Sequence, residues 1–230
     1  MQTIEQRHPL ARRWLHWINF RLITVMLWSG LLIYWADDPL RLRIGPWVPV
    51  QFFGDGFYKH LHVPFRLAEG LALHLTFVWV FALNGLAYAA YLTASRSWSD
   101  VLPRRGAVRD AWLVVLHDLH LRREAPEATG YNAAQRITYT VVVLMGLGAI
   151  VSGLAVYKSA QFGFLTFLLS GYRAARAVHF AIAVAFVLFF VFHIAQVARA
   201  SWSNLRSMIG GYELVSVQST PGDNETPVGS

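Results

Sequence analysis

Apolar residues in this chain are gathered into long runs, with the polar residues collected in the segments between them. Four runs are long enough to cross about 30 Å of hydrocarbon: 14–36 (WLHWINFRLITVMLWSGLLIYWA), 67–92 (LAEGLALHLTFVWVFALNGLAYAAYL), 137–157 (ITYTVVVLMGLGAIVSGLAVY) and 178–198 (VHFAIAVAFVLFFVFHIAQVA). Backbone polar groups in lipid must be satisfied within their own segment, so each run is expected to be a helix. The pattern predicts an all-α membrane protein, a bundle of four transmembrane helices forming one domain over 1–213. Three connections join the runs. The first, 37–65, is rich in Pro, Gly and aromatic residues and reads as an ordered surface loop. The second, 93–135, is polar but holds AWLVVLHDLHLRRE, the pattern of a short amphipathic helix lying on the membrane. The third, 158–175, is short. Residues 214–230 are polar and rich in small residues, and are expected to be disordered.

Composition agrees with a lipid environment. Of the 230 residues 55% are hydrophobic and only 14% are charged, against about a quarter charged in soluble domains. Nine tryptophans suit the headgroup level on either side of the bilayer. The net charge of +7 comes from arginines in short segments beside the apolar runs, where they meet anionic lipid. No nucleic-acid-binding motif accompanies it. Arg7, Arg12, Arg13, Arg96, Arg104, Arg105, Arg109, Arg122, Arg123, Arg199 and Arg206 fall on one side of the four spans. Arg41, Arg43, Lys59, Arg66, Lys158, Arg173 and Arg176 fall on the other. The richer side is expected to be cytoplasmic, and both termini with it. Cysteine is absent, which excludes disulfides, thiolate-held iron–sulfur clusters, Cys zinc sites and haem attached through thioethers.

Histidines supply the chemistry. Four of the nine lie inside spans, His16, His74, His179 and His193, where ionisable residues are costly and line functional sites. His179 and His193 are fourteen residues apart on the fourth span, about 21 Å along a helix and within about 40° of one face. Alternating chain direction puts His16 at the depth of His193 and His74 at the depth of His179. Two pairs at two depths are what two stacked haems require. Zinc or non-haem iron would need three or four ligands at one depth, and no carboxylate joins either pair. The expectation is therefore a haem-binding bundle with two haem b groups, ligated by His16–His193 and His74–His179. Gly30, Gly70, Gly146, Gly148 and Gly153 suit the close approach of a flat macrocycle, or equally ordinary small-residue helix packing. Arg66 and Arg176 are candidate propionate partners for the outer haem, and Arg12 or Arg13 for the inner. His60, His62, His117 and His120 read as wetted interfacial residues. A proton or metal transporter and a cofactor-free membrane anchor are the alternatives. The first needs the four histidines to converge or to form a continuous path, and the second leaves four intramembrane histidines without a role.

The opening RHPLARRWLHWINF, the segment PFRLAEGLALHLTF, the YNAAQRITYT start of the third span and the two histidines of the fourth resemble the di-haem cytochrome b family. That family includes the cytochrome b subunit of nickel–iron hydrogenases, the gamma subunit of membrane formate dehydrogenase and thiosulfate-reductase-type anchors. The resemblance runs from Arg7 to about Glu213. It implies an electron-transfer subunit of the bacterial inner membrane rather than a stand-alone enzyme. It also implies a quinone site beside one haem, commonly the inner one, with His16, Asn19, Arg13, His193 and Gln196 as candidate neighbours; the 93–135 segment with His117 and His120 is another possible wall. A peripheral oxidoreductase subunit of hydrogenase or molybdopterin type would dock on the outer face. The loop DDPLRLRIGPWVPVQFFGDGFYKH is closer to the molybdopterin-linked anchors.

Overall fold

A computed structural model describes residues 2–6, 9–36, 42–44, 47–50, 53–63, 65–118, 121–124, 131–199, 206 and 208–216. In chain order its elements are β1 (Gln2–Gln6), α1 (Leu10–Tyr34), β2 (Leu42–Ile44), β3 (Trp47–Val50), α2 (Asp55–His60), α3 (Leu67–Ala94), α4 (Trp98–Val101), α5 (Ala107–Asp118), α6 (Ala133–Tyr157), α7 (Gly163–Leu168), α8 (Tyr172–Arg199) and β4 (Tyr212–Ser216). Helices α1, α3, α6 and α8 are long and apolar enough to cross a membrane. At about 1.5 Å per residue, their 25 to 28 residues exceed the thickness of the hydrocarbon. This is an all-α membrane protein, with short strands outside the spans.

The helices extend past the apolar runs where polar residues still favour helix. At α6, Asn132 caps the start: its side chain accepts from the Gln135 amide at 2.9 Å, while the Gln135 side chain accepts from the Asn132 amide at 3.0 Å. The reciprocal box satisfies two otherwise orphaned donors and sets the helix start four residues before the apolar run. At α8, Tyr172 to Ala177 precede the apolar run and include Arg173 and Arg176, whose long stems suit an interface. Large apolar side chains point outward from the spans, as at Trp79, Leu86 and Phe192. In water such exposure would be a liability, but in lipid it is the solvated face.

Two compact units make up the chain, Met1–Ile18 with Phe190–Ser230, and Asn19–Phe189, and the divisions fall within α1 and α8. In the first unit β1 pairs antiparallel with β4, from Gln2 opposite Ser216 to Gln6 opposite Tyr212. Residues 214–216, at the start of the segment expected to be disordered, thus belong to a strand, and 217–230 lie outside the described residues. Trp17 Nε1 donates to the Met208 carbonyl at 3.3 Å, and the Arg13 guanidinium donates to the Ile209 carbonyl.

In the second unit α6 packs against α3, α4, α5 and α7. Arg136, 5% exposed, donates to the carbonyls of Tyr131 and Ser99, and Thr140 one turn later donates to the Val101 carbonyl. These bonds tie the 93–135 connection to the foot of α6, and α5 is the helix expected there. The 37–65 connection is ordered in its described part: β2 pairs with β3, and α2 carries Tyr58, which is fully buried and donates to the Leu31 carbonyl at 2.7 Å. Tyr58 also stacks on Phe65. Phe53 packs between Phe57 and Phe180, and Phe180 stacks on Tyr34 at 4.6 Å. The first connection is therefore anchored by aromatic rings to α1 and α8.

Candidate functional site

The spanning helices bring the four histidines together in two pairs. In the second unit, His74 on α3 faces His179 on α8, with ring centroids 6.1 Å apart and planes at 73°. In the first unit, His16 on α1 faces His193 on α8 at 5.9 Å and 58°. These are the partners that depth along the helices gives. Among the described residues no three His, Cys, Asp or Glu side chains gather around one point, so the donor sets are pairs of imidazoles.

Each ring of the His74–His179 pair is held from behind by a serine. Ser29 Oγ lies 2.9 Å from His74 Nδ1, and Ser152 Oγ lies 3.0 Å from His179 Nδ1. Both serines are buried, at 0% and 1% exposure. Each is followed by glycine and leucine, in Ser29-Gly30-Leu31 on α1 and Ser152-Gly153-Leu154 on α6. A Cβ on Gly30 would stand 3.9 Å from His74 Cε1, and one on Gly153 only 3.2 Å from His179 Cε1. Sequence reasoning did not find the serines. The repeated S-G-L on two spans was the available signal, but polar small residues are common in membrane helices and nothing local says which ring they meet.

The five glycines separate by neighbour. Gly30 and Gly153 lie beside histidine rings. Gly70 meets Leu32 and Ile33 of α1, Gly146 meets Phe81, and Gly148 meets Ile182, so these three belong to helix packing.

The remaining candidate residues are dispersed. Arg66 pairs with Glu69 at 3.1 Å on an exposed face, and the Arg176 guanidinium lies 5.8 Å from the Tyr172 ring centre. Arg13, three residues before His16, has a buried Nε without a hydrogen-bond partner. Asn19 Oδ1 accepts from Asn84 Nδ2 at 2.8 Å, an amide bridge between α1 and α3. Gln196 is exposed on α8, His60 is exposed at the end of α2 and His62 just beyond it, and His117 lies on α5. His8 and His120 lie outside the described residues.

Residues 7–211 match the family model described as prokaryotic cytochrome b561. The chain belongs to the prokaryotic cytochrome b561 family. It is similar to a putative protein-methionine-sulfoxide reductase subunit YedZ1 of Azospira oryzae, at 30% identity over 214 residues covering 89% of this chain and 96% of the relative. No solved structure shows a significant match. Family membership agrees with the resemblance carried by the histidine-bearing spans. This cytochrome is a multi-pass bacterial membrane protein that uses haem b for electron transfer.

Proposed function

We propose that the protein is a di-haem cytochrome that moves electrons between the quinone pool and a peripheral oxidoreductase subunit. His74 and His179 would hold one haem, and His16 and His193 the other. The observation that carries this reading is the spacing of the rings. Metal–imidazole bonds are about 2 Å long, so rings on opposite faces of one iron have centres about 6 Å apart, close to the separations of both pairs. Bis-imidazole haem supplies one-electron transfer and leaves no axial position open for substrate.

The chain's own residues then have separable tasks. Each imidazole must present a bare nitrogen, so its other nitrogen carries the proton and needs an acceptor. The orphaned Nε of Arg13 is a donor near His16 that a propionate would satisfy. Arg66 and Arg176 would serve the other haem, in competition with Glu69 in the case of Arg66. In a quinone site Asn19 would offer its amide nitrogen, since its oxygen is engaged by Asn84. Gln196 offers a second polar group on the exposed face of α8. With both termini cytoplasmic in the inner membrane, the His16–His193 site lies on the inner side and the His74–His179 site on the periplasmic side, where the partner docks. The relative is named as a reductase subunit, which favours a reductase as the partner and electron flow from quinol outward.

The test is a dithionite-reduced minus oxidised visible spectrum of the purified protein, with extracted haem counted against protein. The expected result is b-type bands and two haems per chain, reduced also by a short-chain quinol. A colourless protein from haem-replete cells would refute the reading.

The two ring-facing glycines give a graded prediction. Gly153→Ala forces the His179 ring to give by a few tenths of an ångström, because the new Cβ would sit 3.2 Å from its Cε1. Gly30→Ala makes only ordinary contact, at 3.9 Å from the His74 ring. Haem content and the low-spin electron paramagnetic resonance signal should change in the first variant and hold in the second. Equal behaviour would mean that the Gly153 contact is of no consequence.

A further inference from the structure

Ser29 and Ser152 come from different helices, yet each reaches both a backbone carbonyl of its own helix and a histidine ring, Ser152 also lying 3.3 Å from the Ala149 carbonyl. Ser29 Oγ lies 3.0 Å from the Met26 carbonyl and 2.9 Å from His74 Nδ1. Ser152 Oγ lies 2.6 Å from the Gly148 carbonyl and 3.0 Å from His179 Nδ1. A serine hydroxyl has a single proton to donate and two lone pairs to accept with. A carbonyl can only accept, so the proton goes to the Met26 or Gly148 oxygen. The serine oxygen is then left as an acceptor toward the ring, and the Met26 carbonyl beside His74 and the Ala149 carbonyl beside His179 are acceptors too, so the ring nitrogen facing them carries the hydrogen. A neutral imidazole protonated at Nδ1 has its lone pair at Nε2.

We propose that Ser29 and Ser152 are positioning residues that hold His74 and His179 as matched Nδ1–H tautomers, each presenting its Nε2 lone pair to the space between the two rings. The backbone carbonyl fixes the direction of the hydroxyl, the hydroxyl fixes the tautomer, and the tautomer fixes the ligating nitrogen. Beside Ser152, Gly153 also removes a side chain that would crowd the His179 ring, whereas at Gly30 a Cβ would make only ordinary contact with His74. The arrangement also sets the electronics of the site. An acceptor on Nδ1–H makes the imidazole a stronger base and favours the more highly charged oxidised iron. Removing the hydroxyl should therefore raise the midpoint potential of that haem.

This inference rests on His74 and His179 being haem ligands, and the experiment separates the two. A potentiometric titration of the intact protein should resolve two haem waves, and His74→Ala identifies the wave that belongs to this pair by abolishing it. If no wave disappears, the ligand reading fails. If one does, Ser29→Ala and Ser152→Ala test the serines against that wave. Each is expected to move it upward by about tenfold in the oxidised–reduced equilibrium, close to 59 mV for one electron, while the other wave stays in place. The low-spin resonance of the same haem should also shift, because the ring planes lose a restraint. Ser29→Thr and Ser152→Thr, which keep the hydroxyl, should stay near the wild-type potential. Loss of haem in an alanine variant that threonine restores supports the same conclusion. An unmoved wave at full haem content, or haem lost equally in the alanine and threonine variants, would overturn it.

Discussion

His179→Ala is expected to halve the haem content of the purified protein and leave the remaining haem spectroscopically low-spin. Its ring is one of two facing each other at 6.1 Å, and truncation leaves His74 alone on its side of the site. The His16 and His193 rings face each other, so their proposed site would keep both donors. The prediction is sharpest in combination, because residues that act as one unit are not additive. His74→Ala with His179→Ala should retain as much haem as either single variant. His74→Ala with His193→Ala should lose both haems, since it removes one proposed ligand from each site. Haem counted against protein by extraction distinguishes these outcomes. If the double variant within the His74–His179 pair lost all haem, the assignment of two independent sites would be wrong.

Gly70→Ala is expected to lower thermal stability in detergent and to disturb the His74 site without touching it. A Cβ at this position would stand 2.8 Å from Leu32 Cβ, 3.1 Å from Ile33 Cγ1 and 3.2 Å from the Leu32 carbonyl carbon. Two of those atoms are fixed by the α1 backbone, so no flexible side-chain end can move aside. The helices must separate. Overpacking of this kind costs about 1–3 kcal/mol, and the rigid neighbours put this case at the upper end. Gly70 lies one turn before His74 on α3, and Ser29 lies one turn before Ile33 on α1. Separating the helices there lengthens the 2.9 Å contact between Ser29 and His74. Gly85→Ala on the same helix is the control, because nothing lies within 4 Å of its would-be Cβ. It should be neutral or slightly stabilising, as alanine favours helix over glycine by about 1 kcal/mol. Thermal melts of the two variants side by side make the comparison. Equal melting would show that α1 and α3 have slack at this crossing.

Much of the architecture is legible in the amino-acid sequence, for identifiable reasons. Spanning helices announce themselves because lipid demands about twenty apolar residues in a row, and a run of that length survives any local ambiguity. Their ends are less legible. Hydropathy stops at Val178, whereas α8 begins at Tyr172, because Arg173 and Arg176 are polar yet compatible with helix. The Asn132 cap of α6 lies ahead of its apolar run in the same way, although its box with Gln135 is a local signal. The pairing of histidines is legible because rise per residue and alternating chain direction fix depth without knowledge of helix rotation.

Rotation is what the sequence does not contain. Depth matches His74 with His179, but it cannot say that Ser29 and Ser152 stand behind those rings. It cannot divide the five glycines between ring contacts and helix crossings, or join Asn19 to Asn84. Each of these depends on which face of one helix meets which face of another, a choice made by packing summed over many side chains. The sequence by itself determined that this is a four-span membrane protein with histidines at two depths, because length, hydropathy and helical rise act along a single chain. Only the tertiary structure decided how those rings are held, because a hydrogen bond between helices needs two faces oriented to within a fraction of an ångström.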